Sequence, residues 1–176
     1  MLPKTHIMIK LLKYATLQPE VRQQLDHHIA QEFGHVPFVQ EREWAQPDWV
    51  LALYAEEQLA TFYNVVLREV SLDGKLYRVA GINNVITPAA YRGKGYASRL
   101  LQETKALLFE QLGCSFGLLL CADALVPFYS RLGWYKLDNC ALYYQQPDGE
   151  QYYDSNTMLL ASTQQPQFFP QHIHLN

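Results

Sequence analysis

Cysteine is scarce: Cys114, Cys121 and Cys140 are the three in 176 residues, and no two of them stand in a CxxC pair or at a metal-ligand spacing. They read as reduced, mostly buried thiols, not as a disulfide frame or a zinc site. Long hydrophobic runs are missing too. The apolar stretch at residues 118–121 is far shorter than the ~20 residues of a membrane-spanning helix. The first residues show neither the apolar core of a signal peptide nor its cleavage site, so a cytoplasmic protein without a membrane partner is expected. No cluster of one charge sign breaks the balance of 14 basic against 17 acidic residues, net −3. That excludes the basic stripe of a non-specific nucleic-acid binder. A mildly acidic surface suits a cationic substrate. Internal repeats and low-complexity tracts are also lacking.

What is present favours a folded chain. Hydrophobic residues make up 49% and charged residues 18%, enough apolar surface for one domain. The expected division is a domain over residues 1–162 and an extended, Gln- and Pro-rich tail over 163–176. Alternation predicts a strand over residues 5–14. Pro19, then Val21, Leu25, Ile29 and Phe33, predicts a helix that Gly34 ends. Residues 35–48 read as loop. Residues 49–55, 59–72 and 76–87 read as three strands, the last two joined by the hairpin dipeptide Asp73-Gly74. Residues 95–112 have one apolar face and read as one amphipathic helix stopped by Gly113. Residues 116–121 read as a strand buried on both faces, and residues 125–132 as a short helix ending at Gly133. Strands near 141–145 and 157–161 complete the pattern. The expected fold class is α/β: a central mixed, mostly antiparallel sheet with helices on both faces.

The segment Pro88-Ala89-Ala90-Tyr91-Arg92-Gly93-Lys94-Gly95-Tyr96-Ala97 joins a strand to a helix. A helix start offers unpaired N–H groups and a partial positive charge. Gly93 and Gly95 remove side chains there, Arg92 and Lys94 add full charge, and Ser98 adds a hydroxyl. This composition suits a phosphate or pyrophosphate. It is neither a P-loop, which ends in GK[ST], nor the dinucleotide GxGxxG.

Arg92-x-x-Gly95-x-Ala97 resembles the Q/R-x-x-G-x-G/A signature of the GCN5-related N-acetyltransferases, the GNAT family. Downstream, Pro127-Phe128-Tyr129-Ser130-Arg131-Leu132-Gly133-Trp134 resembles that family's FYxxxGF segment. Two motifs in order, with a helix and a buried strand between them, are more specific than either alone. The resemblance implies an acyl-CoA-dependent N-acyltransferase with acetyl-CoA as cosubstrate. Residue by residue, it implies that Val85, Ile86 and Thr87 pair with the pantetheine arm. Arg92, Gly93, Lys94, Gly95, Tyr96, Ala97 and Ser98 then wrap the pyrophosphate. Tyr129 is implied as the general acid that protonates the leaving thiolate.

An attacking amine must be neutral, and many members of the family place a carboxylate on the strand before the loop. Here Asn83 stands near that position, and an amide takes no proton at neutral pH. Asn83 is therefore expected to contact the acceptor. Glu41, Glu43, Asp123 and Asp154 are the spare acids; Glu43, beside Trp44, is the candidate base or acceptor contact. The layout from Phe33 through Trp44 resembles the aminoglycoside 2′-N-acetyltransferase branch. The reading is transfer of acetyl from acetyl-CoA to a primary amine of a small molecule by direct attack. A protein or peptide N-acetyltransferase and a non-catalytic acyl-CoA-binding regulatory module are the alternatives. No metal is expected: His172-Ile173-His174 puts two rings on one strand face but brings no third ligand. Exposed strand edges and Phe168-Phe169 permit a homodimer without requiring one.

Overall fold

Short-range turn chemistry sets the strand pairs. Asp73 and Gly74 both take positive φ (+49° and +82°), the type I′ geometry whose twist matches the strands it joins. They connect β3 (Gln58–Leu72) to β4 (Lys75–Ile86). Glu56 and Glu57 make a second tight turn, again with positive φ (+48° and +65°), between β2 (Trp49–Ala55) and β3. The Glu56 carboxylate also accepts the His6 N–H at 2.6 Å. The computed structural model describes residues 5–175, grouped in two compact units through which β3 and β4 both run.

The first unit holds the chain up to Val66 and residues 83–101. β1 (Ile7–Lys13) runs antiparallel to β2, from Ile7 opposite Ala55 to Lys13 opposite Trp49, and β2 runs antiparallel to β3. α1 (Pro19–Phe33) starts with Pro at its first turn and lays Val21, Leu25, Ile29 and Phe33 at one-turn spacing against Val50, Ala52, Phe62 and Ile86. The loop expected over residues 35–48 contains a short helix, α2 (Pro37–Gln40), because Pro37 supplies the first-turn φ a helix needs.

The second unit holds residues 67–82 and 102 onward. Its strands are the inner parts of β3 and β4, with β5 (Phe116–Cys121), β6 (Tyr135–Lys136), β7 (Ala141–Gln146), β8 (Gly149–Tyr153), β9 (Asn156–Ala161) and β10 (His172–Leu175). Their order is β6-β9-β5-β4-β3-β10-β7-β8. β4–β5 and β7–β10 are parallel; β5–β9, β6–β9, β7–β8 and β3–β10 are antiparallel. This is the expected mixed, mostly antiparallel sheet. Phe116 and Leu118 face a core with Val70, Val79, Leu142, Leu159 and Ile173. Gly117 points the other way, where an added Cβ would come within 2.8 Å of Leu108 and 3.0 Å of Trp134. Glycine there lets a helix and an indole lie directly on the strand.

Three elements differ from the expectation. The single helix expected over 95–112 is α3 (Tyr96–Gln102) followed by a wider π segment (Ala106–Gln111), whose Leu112 N–H reaches Leu107 O at 2.9 Å. The expected 125–132 helix is α4 (Val126–Ser130), preceded by a 3₁₀ turn at Asp123–Leu125. The end of the expected tail forms β10, with Ile173 fully buried; Asn176 lies outside the described residues.

Candidate acyl-CoA site

β4 does not run straight to its end. Asn84 takes φ +51°, a left-handed conformation that asparagine tolerates better than other non-glycine residues. Such a break kinks a strand and points its last residues in a new direction. There, Thr61 on β3 donates its hydroxyl to Ile86 O at 2.9 Å and accepts the Thr87 hydroxyl at 3.0 Å. The end of β4 is thereby held onto β3. Pro88 and a 3₁₀ turn (Ala89–Tyr91) lead to Arg92.

Arg92 is already engaged. Its Nε donates to Thr87 O at 2.8 Å, and its Nη2 forms an ion pair with Glu32 of α1. The guanidinium folds the loop back on itself and ties it to α1. Lys94 lies over the Tyr91 ring, 5.4 Å from the centroid. Gly93 and Gly95 take φ +73° and +77°, and a Cβ built at either meets nothing within 4 Å. Glycine is required by the backbone angle, and open space stands above it. Among the described residues, the N–H groups of Gly93, Lys94, Gly95, Tyr96, Ala97 and Ser98 have no protein acceptor. Six unpaired donors, a lysine and two bare glycines with space before them fit a pyrophosphate.

In the second unit, α4 carries Tyr129, 6% exposed. Its ring packs edge-on against Phe128 and Trp134, with centroids 5.1 and 6.3 Å away. Trp134 N–H and Leu132 N–H both donate to Tyr129 O, so the turn after the helix clamps the residue. Burial, and secondarily Cys121, push the phenol pKa up to about 12, with no hydrogen bond opposing the shift. The phenol keeps its proton at any ordinary pH, as a general acid must.

The spare acids are spread out. Glu43 is exposed in the segment after α2, where Trp44 donates to Val39 O at 2.9 Å and Arg42 stacks on Phe38 at 3.7 Å. Asp123 accepts from Asn156 Nδ2 at 2.7 Å and pins the end of β5 to β9. Glu41 and Asp154 are exposed. Asn83 has a buried amide oxygen without a partner, and so does Asn64 on β3. An orphaned buried acceptor costs about 1–3 kcal/mol. Reading the sequence missed Thr61, Asn64, Asn84 and Glu32. The Asn83-Asn84 pair inside a strand was the available signal for the kink; nothing local foretells the partner of Arg92, sixty residues away from Glu32.

Known families supply an independent line. The family model described as an acetyltransferase (GNAT) domain matches residues 5–137. The chain belongs to the GNAT family. It is therefore an acyl-CoA-dependent N-acyltransferase, with acetyl-CoA as the cosubstrate of its family. Solved structures share the GNAT fold. YhbS, a GNAT N-acetyltransferase from Escherichia coli solved with CoA, is 17% identical at a TM-score of 0.66, over 99% of this chain and 92% of its own. Escherichia coli ElaA is 16% identical at 0.61, over 88% and 99%. An acyl-CoA N-acyltransferase from Pseudomonas aeruginosa is 14% identical at 0.60, over 89% and 100%. A search of curated proteins finds no match. No described helix of this GNAT chain is long and apolar enough to cross a membrane.

Proposed function

We propose that this GNAT protein acetylates a primary amine of a small molecule, by direct attack of the amine on the thioester. The observation that carries the cosubstrate half is the row of unpaired N–H groups from Gly93 to Ser98 beside bare glycines. Acetyl-CoA, when bound, supplies an activated acyl carbon and a thiolate leaving group. The N–H groups at residues 93–98 and Lys94 hold the pyrophosphate, and the backbone of Val85, Ile86 and Thr87 orients the pantetheine arm. Arg92 shapes the loop from its bonds to Thr87 and Glu32. As the new C–N bond forms and the C–S bond breaks, Tyr129 Oη gives its proton to the departing sulfur.

Asn83 accepts a hydrogen bond from the acceptor but takes no proton. The amine attacks in its neutral form, and as the amide forms its nitrogen gives up one proton to water or to a carboxylate such as Glu43, while solvent returns a proton to Tyr129, so that the thiol and the amide leave with the site restored. A polycationic amine, of the class the aminoglycoside branch acetylates, suits the net charge of −3.

Calorimetric titration with acetyl-CoA tests this reading, on wild type and on Gly95→Glu. Wild type is expected to bind, and the variant not to, because a carboxylate in a left-handed position meets the phosphates by sterics and like charge. No heat from wild type with acetyl-CoA, CoA or longer acyl-CoAs would remove the cosubstrate reading. Turnover on peptides, with none on small amines, would replace the acceptor class.

A further inference from the structure

The first unit holds a cavity at the start of α1. Alternation along β1 puts Lys10 and Leu12 on the face they share with Ala52 and Val50, which α1 covers. A 3₁₀ turn (Tyr14–Thr16) then carries the chain into the helix. Between strand and helix start lies a space of about 190 Å³, open on one side. Its floor is Leu12, Leu17, Val21 and the Tyr54 ring, all packed against the core under α1. Its rim is Lys10, Lys13, Thr16 and Gln18. An apolar cavity of about 150 Å³ suffices for a benzene ring, so this one takes a ring and a small polar head. No carboxylate lines it; Glu20, the acid in the first turn of α1, is outside. Among the described residues neither the Lys10 nor the Lys13 ammonium forms an ion pair. The Tyr54 hydroxyl has no hydrogen-bond partner among them either, and burial raises its pKa, so it stays a donor. Lys10 Nζ stands 5.0 Å from the centroid of the Tyr54 ring, which brings a full positive charge to the edge of the apolar floor.

We infer that this cavity binds a small aromatic carboxylate, its ring on the floor of Leu12, Leu17, Val21 and Tyr54 and its carboxylate held by Lys10, Lys13 and the Tyr54 hydroxyl. Each half of the ligand answers one half of the lining. Two ammonium groups and a phenol offer only donors to a charged head, and a carboxylate accepts from all three. An amine would meet two like charges and no acceptor acid. A bare inorganic anion would leave the apolar floor wet, and a neutral arene would leave the donors unused. About 16 Å of helix separates Val21 from Glu32, the partner of Arg92 in the cofactor loop. The carboxylate therefore binds apart from the cradle at residues 93–98, whatever that cradle holds.

The test titrates phenylacetate into the full chain and follows the backbone ¹H–¹⁵N resonances. 2-Phenylethylamine keeps the ring and reverses the charge; acetate and inorganic phosphate keep the charge and lack the ring. Phenylacetate is expected to move residues 10–21 and 54, to saturate, and to leave residues 93–98 in place. The three controls should bind about tenfold more weakly or worse, for want of the charged hydrogen bonds or of the buried ring. Lys10→Gln keeps most of the stem and Tyr54→Phe keeps the ring. Each should weaken phenylacetate about three- to tenfold, with resonances elsewhere unchanged as the sign of an intact fold. Equal binding of 2-phenylethylamine overturns the inference, since the apolar floor would then hold any ring. Equal response to acetate or phosphate overturns it too, since surface charge alone would then be at work. So does unaltered affinity in both variants, or a wild type in which phenylacetate gives no saturable shift at residues 10–21.

Discussion

At the scale of single residues, the proposed site rests on a phenol that stays protonated and on two glycines held at positive φ. Tyr129→Phe keeps the ring packed on Phe128 and Trp134 but removes the proton. Its kcat is expected to fall about 10²–10⁴-fold, with acetyl-CoA affinity unchanged by calorimetry. The raised pKa also gives a sign. The folded chain holds this proton more tightly than the unfolded chain, so its contribution to stability is complete below pH 10. That contribution is lost as pH rises towards about 12. Denaturant titrations should show a steeper alkaline loss of stability for wild type than for Tyr129→Phe. Glu32→Gln tests the Arg92 anchor. The ion pair is about half exposed, so stability should change by less than ~1 kcal/mol. The freed guanidinium adds unbalanced positive charge beside the loop, and acetyl-CoA should bind about two- to fivefold tighter at low salt, with the gain vanishing at high salt. Weaker binding at low salt would mean that the anchor matters more than the charge.

At the scale of elements, β4 is the organising piece. Its kink at Asn84 places a left-handed residue in a strand, and glycine accepts that angle where a β-branched residue does not. Asn84→Gly is expected to keep the fold and most activity. Asn84→Val should cost about 1–2 kcal/mol in chemical denaturation and lower activity, because straightening the strand moves residues 85–87. The hairpin before the kink was legible in the sequence, since Asp-Gly dictates its own turn. The kink was not, since two asparagines in an alternating strand also fit a regular edge. The π segment at Ala106–Gln111 escaped for a related reason: its apolar residues keep the amphipathic pattern while the hydrogen bonds shift by one.

At the scale of the whole molecule, the C-terminal strand carries weight that its composition hides. β10 lies between β3 and β7, antiparallel to one and parallel to the other, with Ile173 fully buried against Leu72 and Leu142. Asp73 in the hairpin turn accepts the N–H groups of Gln171 and His172, each at 2.9 Å. Ile173→Ala is expected to destabilise the protein by about 2–5 kcal/mol, read as a lower denaturation midpoint. Truncation before His172 should leave two strand edges unpaired and bring aggregation, visible by light scattering.

The sequence by itself determined what local chemistry can specify. Asp-Gly and proline positions set a turn and the helix starts, apolar periods set the element types, and Arg92-x-x-Gly95-x-Ala97 with Tyr129 marked the family. Tertiary structure alone decided which distant groups meet. It brought Glu32 to Arg92, Asp123 to Asn156, and the final residues into the sheet between β3 and β7. The physical reason is range. Backbone angles and side-chain periods are properties of a few neighbouring residues, whereas a partner sixty residues away is chosen by the packing of every element between.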